Sequence, residues 1–393
     1  MIRIPYGRHF IDDSDIDAVV NILKNGSLTQ GPMVEEFEQA VADFVGAKYA
    51  VAVANGTAAL HLAYLSLGVG PGDAIITSPN TFVATANGAH FAGAEAKFVD
   101  INPNTLNMDP QKLAAACESV TNVKVISPVH FAGYPSDMQR IRSIANKVGA
   151  RVVEDAAHAL GATYADGGRI GNCSHSDITL FSFHPVKMIA AGEGGMLTTN
   201  DQTLYHRLLR LRSHGINKGD DAFENSTNAM TNGLANPWYY EMQELGFNYR
   251  ITDIQCGLAL SQLGKLNHFL ERRYALVKAY DKVFSEMPAV TLPQLSGRNL
   301  SAHHLYVLRI DFESINISRA QLITDLLAQG IGTQVHYIPV HMHPYYQKHG
   351  FSQGDFPETE AYYREALSIP LYFSLSDSDQ QYVIENIKNC IQA

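Results

Sequence analysis

Several common functions are excluded by what this chain lacks. Its four cysteines (Cys117, Cys173, Cys256 and Cys390) form no CxxC pair and show no metal-ligand spacing. They read as reduced thiols, three buried and one near the C-terminus, which argues against a disulfide scaffold or a metal centre. No basic block interrupts the net charge of −10, so nucleic acid is not an expected partner, because a phosphate backbone calls for clustered cations. No apolar run reaches the roughly 18 residues that a membrane span needs. The opening MIRIPYGRHFIDD lacks a basic segment followed by an apolar one, so no signal peptide is read there. The expectation is a soluble, cytoplasmic protein without membrane contact. No GxGxxG follows the first strand-like run, which removes a Rossmann dehydrogenase. Repeats and low-complexity tracts are missing as well.

The chain is rich in apolar residues, 46% of 393, enough to core two domains. Ser14 reads as the N-cap of a first helix that stops at Gly26, and a second helix covers 34–45 and ends at Gly46. Short apolar runs follow at 49–54, 74–77, 96–99, 123–127, 151–154, 178–183 and 195–198, with helical stretches at 57–67, 110–118 and 138–148. Strands without polar alternation, interleaved with helices, predict an α/β domain around a mostly parallel sheet. Residues 213–247 read as a lid or intersubunit loop. A long helix is expected over 252–284, then a smaller α+β unit with strands at 305–310 and 332–337, a helix at 318–329 and a closing helix at 376–391. The expected division is 1–265 and 266–393.

Four short segments could carry chemistry. Asn55-Gly56-Thr57 lies between a strand and a helix, where free N–H groups and the helix dipole favour a phosphate; a plain turn is the simpler reading. Asp155 follows the apolar Val152-Val153 and could hold a pyridine nitrogen protonated, or merely cap a helix. Lys187, after the strand-like Phe181-Ser182-Phe183, could enter the same crevice as a Schiff-base nucleophile if partly desolvated. As a lone lysine, it could equally be a surface charge. Ser182 could add a phosphate hydrogen bond, and Phe82 could stack on a flat ring or sit in the core. Together they supply what pyridoxal phosphate (PLP) needs: a phosphate cradle, a stacking ring, a carboxylate and a lysine.

The chain resembles the DegT/StrS-type sugar aminotransferases, a branch of the fold-type I PLP enzymes. The likeness rests on Ile4-Pro5-Tyr6-Gly7-Arg8, Leu28-Thr29-Gln30-Gly31-Pro32, Val129-His130 with Gly133, Glu154-Asp155-Ala156, the stretch from Phe181 to Lys187, Gly246-Phe247-Asn248-Tyr249-Arg250, and His336-Tyr337-Ile338-Pro339. It implies a fold-type I large domain with a smaller C-terminal domain. Lys187 would carry the cofactor and shuttle a proton, Asp155 would pair the ring nitrogen, and His158 would sit near the phenolic oxygen. Phe82 would stack, while Gly56, Thr57 and Ser182 would bind phosphate with Asn248 from a neighbouring subunit, which implies a homodimer with shared sites. Tyr6, Thr29, Arg250 and His336 are substrate-side candidates. Within the family, the chain looks like the branch that aminates C4 of a UDP-linked 4-keto-6-deoxy-N-acetyl-hexosamine on the route to pseudaminic acid, with L-glutamate as donor; the alternative is another nucleotide-linked keto-sugar, a dTDP- or GDP-4-keto-6-deoxyhexose. Related sugar dehydratases carry His where Lys187 stands. A non-catalytic regulator on this scaffold would need an added DNA-binding segment, and none is seen.

Overall fold

Apolar runs that lack alternation become strands covered on both faces. In the computed structural model, which describes residues 2–219 and 222–392, seven strands make one sheet. They are β1 (Tyr49–Val53), β2 (Ala74–Thr77), β3 (Glu95–Phe98), β4 (Val123–Ile126), β5 (Arg151–Asp155), β6 (Ile178–Ser182) and β7 (Gly195–Thr199), in the order β1-β7-β6-β5-β4-β2-β3. The neighbours from β3 to β6 are parallel, and β7 is antiparallel to both β6 and β1. The C-terminal ends of the other six strands therefore share one edge with the start of β7. Successive residues of β5 feed opposite apolar layers: Val152 packs with Phe37 and Phe181, and Val153 with Leu62 and Leu180.

Helices α1 (Asp13–Asn25), α2 (Pro32–Val45), α3 (Gly56–Ser66), α4 (Val83–Phe91), α5 (Pro110–Ser119), α6 (Met138–Val148) and α7 (Gln202–Arg212) pack around the sheet or lead into it. The first starts earlier than Ser14 predicts. Asp12 is its cap, closing a capping box with Asp15, and Ser14 Oγ instead donates to Asp12 Oδ1 at 2.6 Å. The Asp12 carboxylate also accepts from Lys265 Nζ at 2.8 Å, a charge-assisted bond that a serine hydroxyl cannot match. Helices α4 and α7 have no counterpart among the helices read from sequence.

Residues 213–247 are not featureless. They form β8 (Ile216–Asn217), α8 (Ser226–Ala229), β9 (Met230–Thr231), β10 (Leu234–Ala235) and β11 (Glu241–Met242), with β9 paired to β10 and β8 to β11. The single helix expected over 252–284 is two, α9 (Asp253–Gly264) and α10 (Leu266–Phe284). They part where Gly264 weakens the helix and where Lys265 is drawn aside to Asp12 and Asp15.

The remaining chain supplies β12 (Val290–Thr291), β13 (Tyr306–Ile310), α11 (Arg319–Ala328), α12 (Pro344–Gln347), α13 (Pro357–Glu365), β14 (Ala366–Ile369) and α14 (Asp377–Gln392). The three strands form an antiparallel sheet over a separate core that includes Tyr280, Leu308, Ile369 and Ile387. Residues 332–337 are not the expected strand. They make one isolated bridge, Gln334 with Ser368, and Pro339 brings no N–H to extend a ladder. Two cysteines, Cys173 and Cys256, are buried rather than three, because Cys117 and Cys390 lie on half-buried helix faces. Among the described residues, no helix is long and apolar enough to cross a membrane.

Candidate active site

A cavity of about 1170 Å³ opens at the shared strand edge. Gly56, Thr57, Phe82, Asp155, His158, Ser182, Lys187, Tyr6 and His336, all predicted from sequence, line it. They arrive from separate places: the end of β5, the end of β6, the start of α3, the entry to α4, and the loops near residues 6 and 336.

The α3 end is shaped for an anion. Asn55 caps the helix by accepting from Ala58 N–H at 2.8 Å, so the first-turn N–H groups of Gly56 and Thr57 have no helix carbonyl to serve. A Cβ on Gly56 would stand 3.1 Å from Ser182 Cβ, and one on Gly195 would stand 2.5 Å from the Asn55 carbonyl oxygen. Glycine at 195 lets the first residue of β7 press on the turn, which holds those donors beside the Ser182 hydroxyl. A phosphate fits there.

Asp155, the last residue of β5, is buried. Its Oδ2 accepts from Thr85 Oγ1 at 2.6 Å and its Oδ1 from Ala157 N–H at 3.1 Å. A carboxylate offers about four acceptor positions, so capacity remains for a ring N–H. Behind it, Glu154 is fully buried and bonded to His130 Nε2 at 2.8 Å, Tyr164 Oη at 2.7 Å and Thr179 Oγ1 at 3.0 Å. Main-chain bonds run from Asp155 N–H to Pro128 and from His130 N–H to Asp155. The strand end is clamped from both sides.

Among the described residues, no hydrogen-bond partner meets the Lys187 ammonium. Burial lowers its pKa to about 8 against the opposing pull of Asp155. Burial wins, as it does for amines withdrawn from water. His158 and His336 are held neutral by burial and, after it, by the charge of Lys187; His336 falls to about 3. Phe82 stands 59% exposed at the cavity wall, a ring face left uncovered by protein. A flat cofactor stacked there would gain about 0.5–1.5 kcal/mol beyond area burial. Donors for phosphate, a carboxylate with spare capacity, an unpaired lysine and an open aromatic face together fit PLP.

Three predicted residues lie outside this cavity. Thr29 is exposed and bridges Thr252, and Asn248 is exposed and bridges Ser213. Arg250 lines a second cavity of about 910 Å³ with Arg212, His214 and Lys218, and its side chain has no ion-pair partner among the described residues. Sequence reasoning missed Thr85, His304 and Tyr337. Thr85 lies one helical turn past Phe82 and could have been sought there. Tyr337 stood inside a motif already noted for His336. Nothing local marks His304.

Comparison with known proteins agrees with this geometry. The chain is 43% identical over 393 residues to the spore coat polysaccharide biosynthesis protein SpsC of Bacillus subtilis, covering 99% of this chain and 97% of that protein. It is 36% identical over 390 residues, covering 99% and 98%, to the UDP-4-amino-4,6-dideoxy-N-acetyl-beta-L-altrosamine transaminase of Campylobacter jejuni. Spr1654 of Streptococcus pneumoniae in its PLP form superposes with a TM-score of 0.87 at 29% identity, covering 99% and 98% of the two chains. Residues 9–388 match the DegT/DnrJ/EryC1/StrS aminotransferase family, and with the cavity built as PLP requires, the chain belongs to that family as a PLP-dependent sugar aminotransferase.

Proposed function

We propose that the protein transfers an amino group from L-glutamate to C4 of a UDP-linked 4-keto-6-deoxy-N-acetyl-hexosamine, in the cytoplasm and as a homodimer with shared sites. The observation that carries the reading is the unpaired, half-buried Lys187 in one cavity with Asp155 and the Gly56-Thr57 turn. The name of the Campylobacter relative, matched nearly end to end, supports the sugar. Bound PLP supplies a carbonyl for amine capture and a ring that withdraws electrons. Lys187 holds the cofactor and moves a proton to and from the sugar C4. Asp155 pairs with the ring nitrogen, its carboxylate held in place by the Thr85 hydroxyl. Gly56, Thr57 and Ser182 hold the phosphate, joined by Asn248 from the other subunit. Phe82 covers the ring face. Tyr6 and His336, 5.4 Å apart between ring centres, bound the sugar side, and Thr29 and Arg250 serve the nucleotide.

Incubating the enzyme with L-glutamate and a panel of UDP- and dTDP-linked 4-keto-sugars tests the proposal. The UDP-linked N-acetyl sugar is expected to show kcat/KM at least about tenfold above any dTDP-linked one, a difference of roughly 1.4 kcal/mol. Equal or faster formation of 2-oxoglutarate with a dTDP-sugar would overturn the UDP assignment.

A further inference from the structure

Tyr337 and His158 form a directed pair at the cavity wall. Ala132 N–H points at His158 Nδ1, 3.3 Å away, and His158 Nε2 lies 3.0 Å from Tyr337 Oη. A neutral imidazole carries one proton. With Nδ1 accepting from a backbone N–H, that proton sits on Nε2 and is donated to Tyr337 Oη. The reverse tautomer would set two N–H groups against each other. The Tyr337 hydroxyl must therefore send its own hydrogen elsewhere, and no second protein partner meets it among the described residues. Tyr337 lines the cavity.

The surroundings enforce this arrangement. Ala132 holds a left-handed φ of 58°. Gly133 beside it packs so tightly that a Cβ would stand 2.9 Å from the His158 carbonyl oxygen and 3.0 Å from His303 N. The His304 ring lies 4.3 Å from that of His158. Burial and, after it, the charge of Lys187 keep His158 neutral, while burial and, after it, Asp155 keep Tyr337 protonated. Tyr362 also faces Tyr337. Every titratable group around the pair leaves it a neutral donor chain.

This inference rests on the PLP reading. In PLP, the phosphate arm and the ring oxygen flank the aldehyde carbon on opposite sides. With phosphate at Gly56 and Thr57, the aldehyde carbon at Lys187 and the ring nitrogen at Asp155, the oxygen faces the remaining wall. We infer that Tyr337 donates its O–H to the ring oxygen of the cofactor, and that His158 acts through Tyr337 as a positioning residue rather than touching that oxygen itself.

The test is a pH titration of the visible absorption band of the holoenzyme, with borohydride fixation of PLP on Lys187 checking the cofactor reading separately. A donor to the oxygen stabilises its anion and lowers the midpoint. Tyr337→Phe should therefore raise the midpoint by about one pH unit, the size of one ordinary hydrogen bond. His158→Ala should shift it the same way by less, and His158→Gln, which keeps an N–H, should restore it. The double variant Tyr337→Phe/His158→Ala should match Tyr337→Phe alone. If Tyr337→Phe leaves the midpoint unmoved while His158→Ala shifts it, or if the two shifts add, the inference is overturned. If PLP cannot be fixed on Lys187 in the parent protein, the cofactor reading fails instead.

Discussion

Burial at Lys187 works against its charge and for its chemistry. An amine attacks a carbonyl only when neutral, and an ordinary lysine near pKa 10.5 is neutral in roughly one molecule in three thousand at pH 7. Lowered to about 8, roughly a tenth of the molecules are neutral at that pH. The sign follows directly: below pH 8 the reactive fraction falls about tenfold per unit, and above it the fraction levels off. Stopped-flow absorbance of apo-protein mixed with PLP should show a capture rate that rises with pH and flattens near 8. A rate constant across pH 6 to 9 would contradict the assignment. Lys187 could be singled out in the sequence because the family motif surrounds it. Its lowered pKa could not, since burial depends on what β5, α4 and the loop near residue 336 bring around it.

The site depends on close contacts between elements as much as on reactive groups. The first residue of β7 lies against the turn that opens α3, and only the missing Cβ of Gly195 allows this. Gly195→Ala should push the Asn55-Gly56 turn off β7, lowering stability by about 1–3 kcal/mol as overpacking does and weakening PLP binding at least tenfold (~1.4 kcal/mol). Gly70→Ala is the control, because nothing lies within 4 Å of its added Cβ; that change should stay within about 0.5 kcal/mol. Denaturant midpoints and PLP titrations measure both. The element boundaries misread from sequence share one cause. Ser14, residues 252–284 and residues 332–337 all obey local rules, and distant partners overrule them: Lys265 reaching Asp12 and Asp15, and the Tyr362 hydroxyl taking the His336 carbonyl, so that only Gln334 finds a ladder partner.

The single chain leaves apolar surface uncovered in one place above all. Leu234, Trp238, Met242 and Leu245, all within twelve residues of the 213–247 arm, are 61–76% exposed, and large apolar groups left open to water mark interaction surfaces. We propose that a second copy covers it and that Asn248 and Arg250 of each copy complete the other's site. Lys187→Ala and Asn248→Asp should each abolish activity. Co-expressed, they should regain about a quarter of it, because half of randomly paired dimers are mixed and each keeps one intact site. No recovery, or a monomer by sedimentation, would refute the shared site. We also propose that the chain divides at 265/266, where α9 packs on the sheet domain and α10 carries Tyr280 and Phe284 into the C-terminal core.

Apolar periodicity and turn residues were enough to name the α/β class, because covering a strand and capping a helix are local requirements; with the family resemblance they also named the cofactor and nine of the residues that line the cavity. Tertiary structure alone decided that these residues meet at one strand edge, that Lys187 is desolvated, and that His158 is hydrogen-bonded to Tyr337 at the cavity wall. Each of those depends on groups far apart in sequence, whose distances and dielectric surroundings exist only once the chain has closed around them.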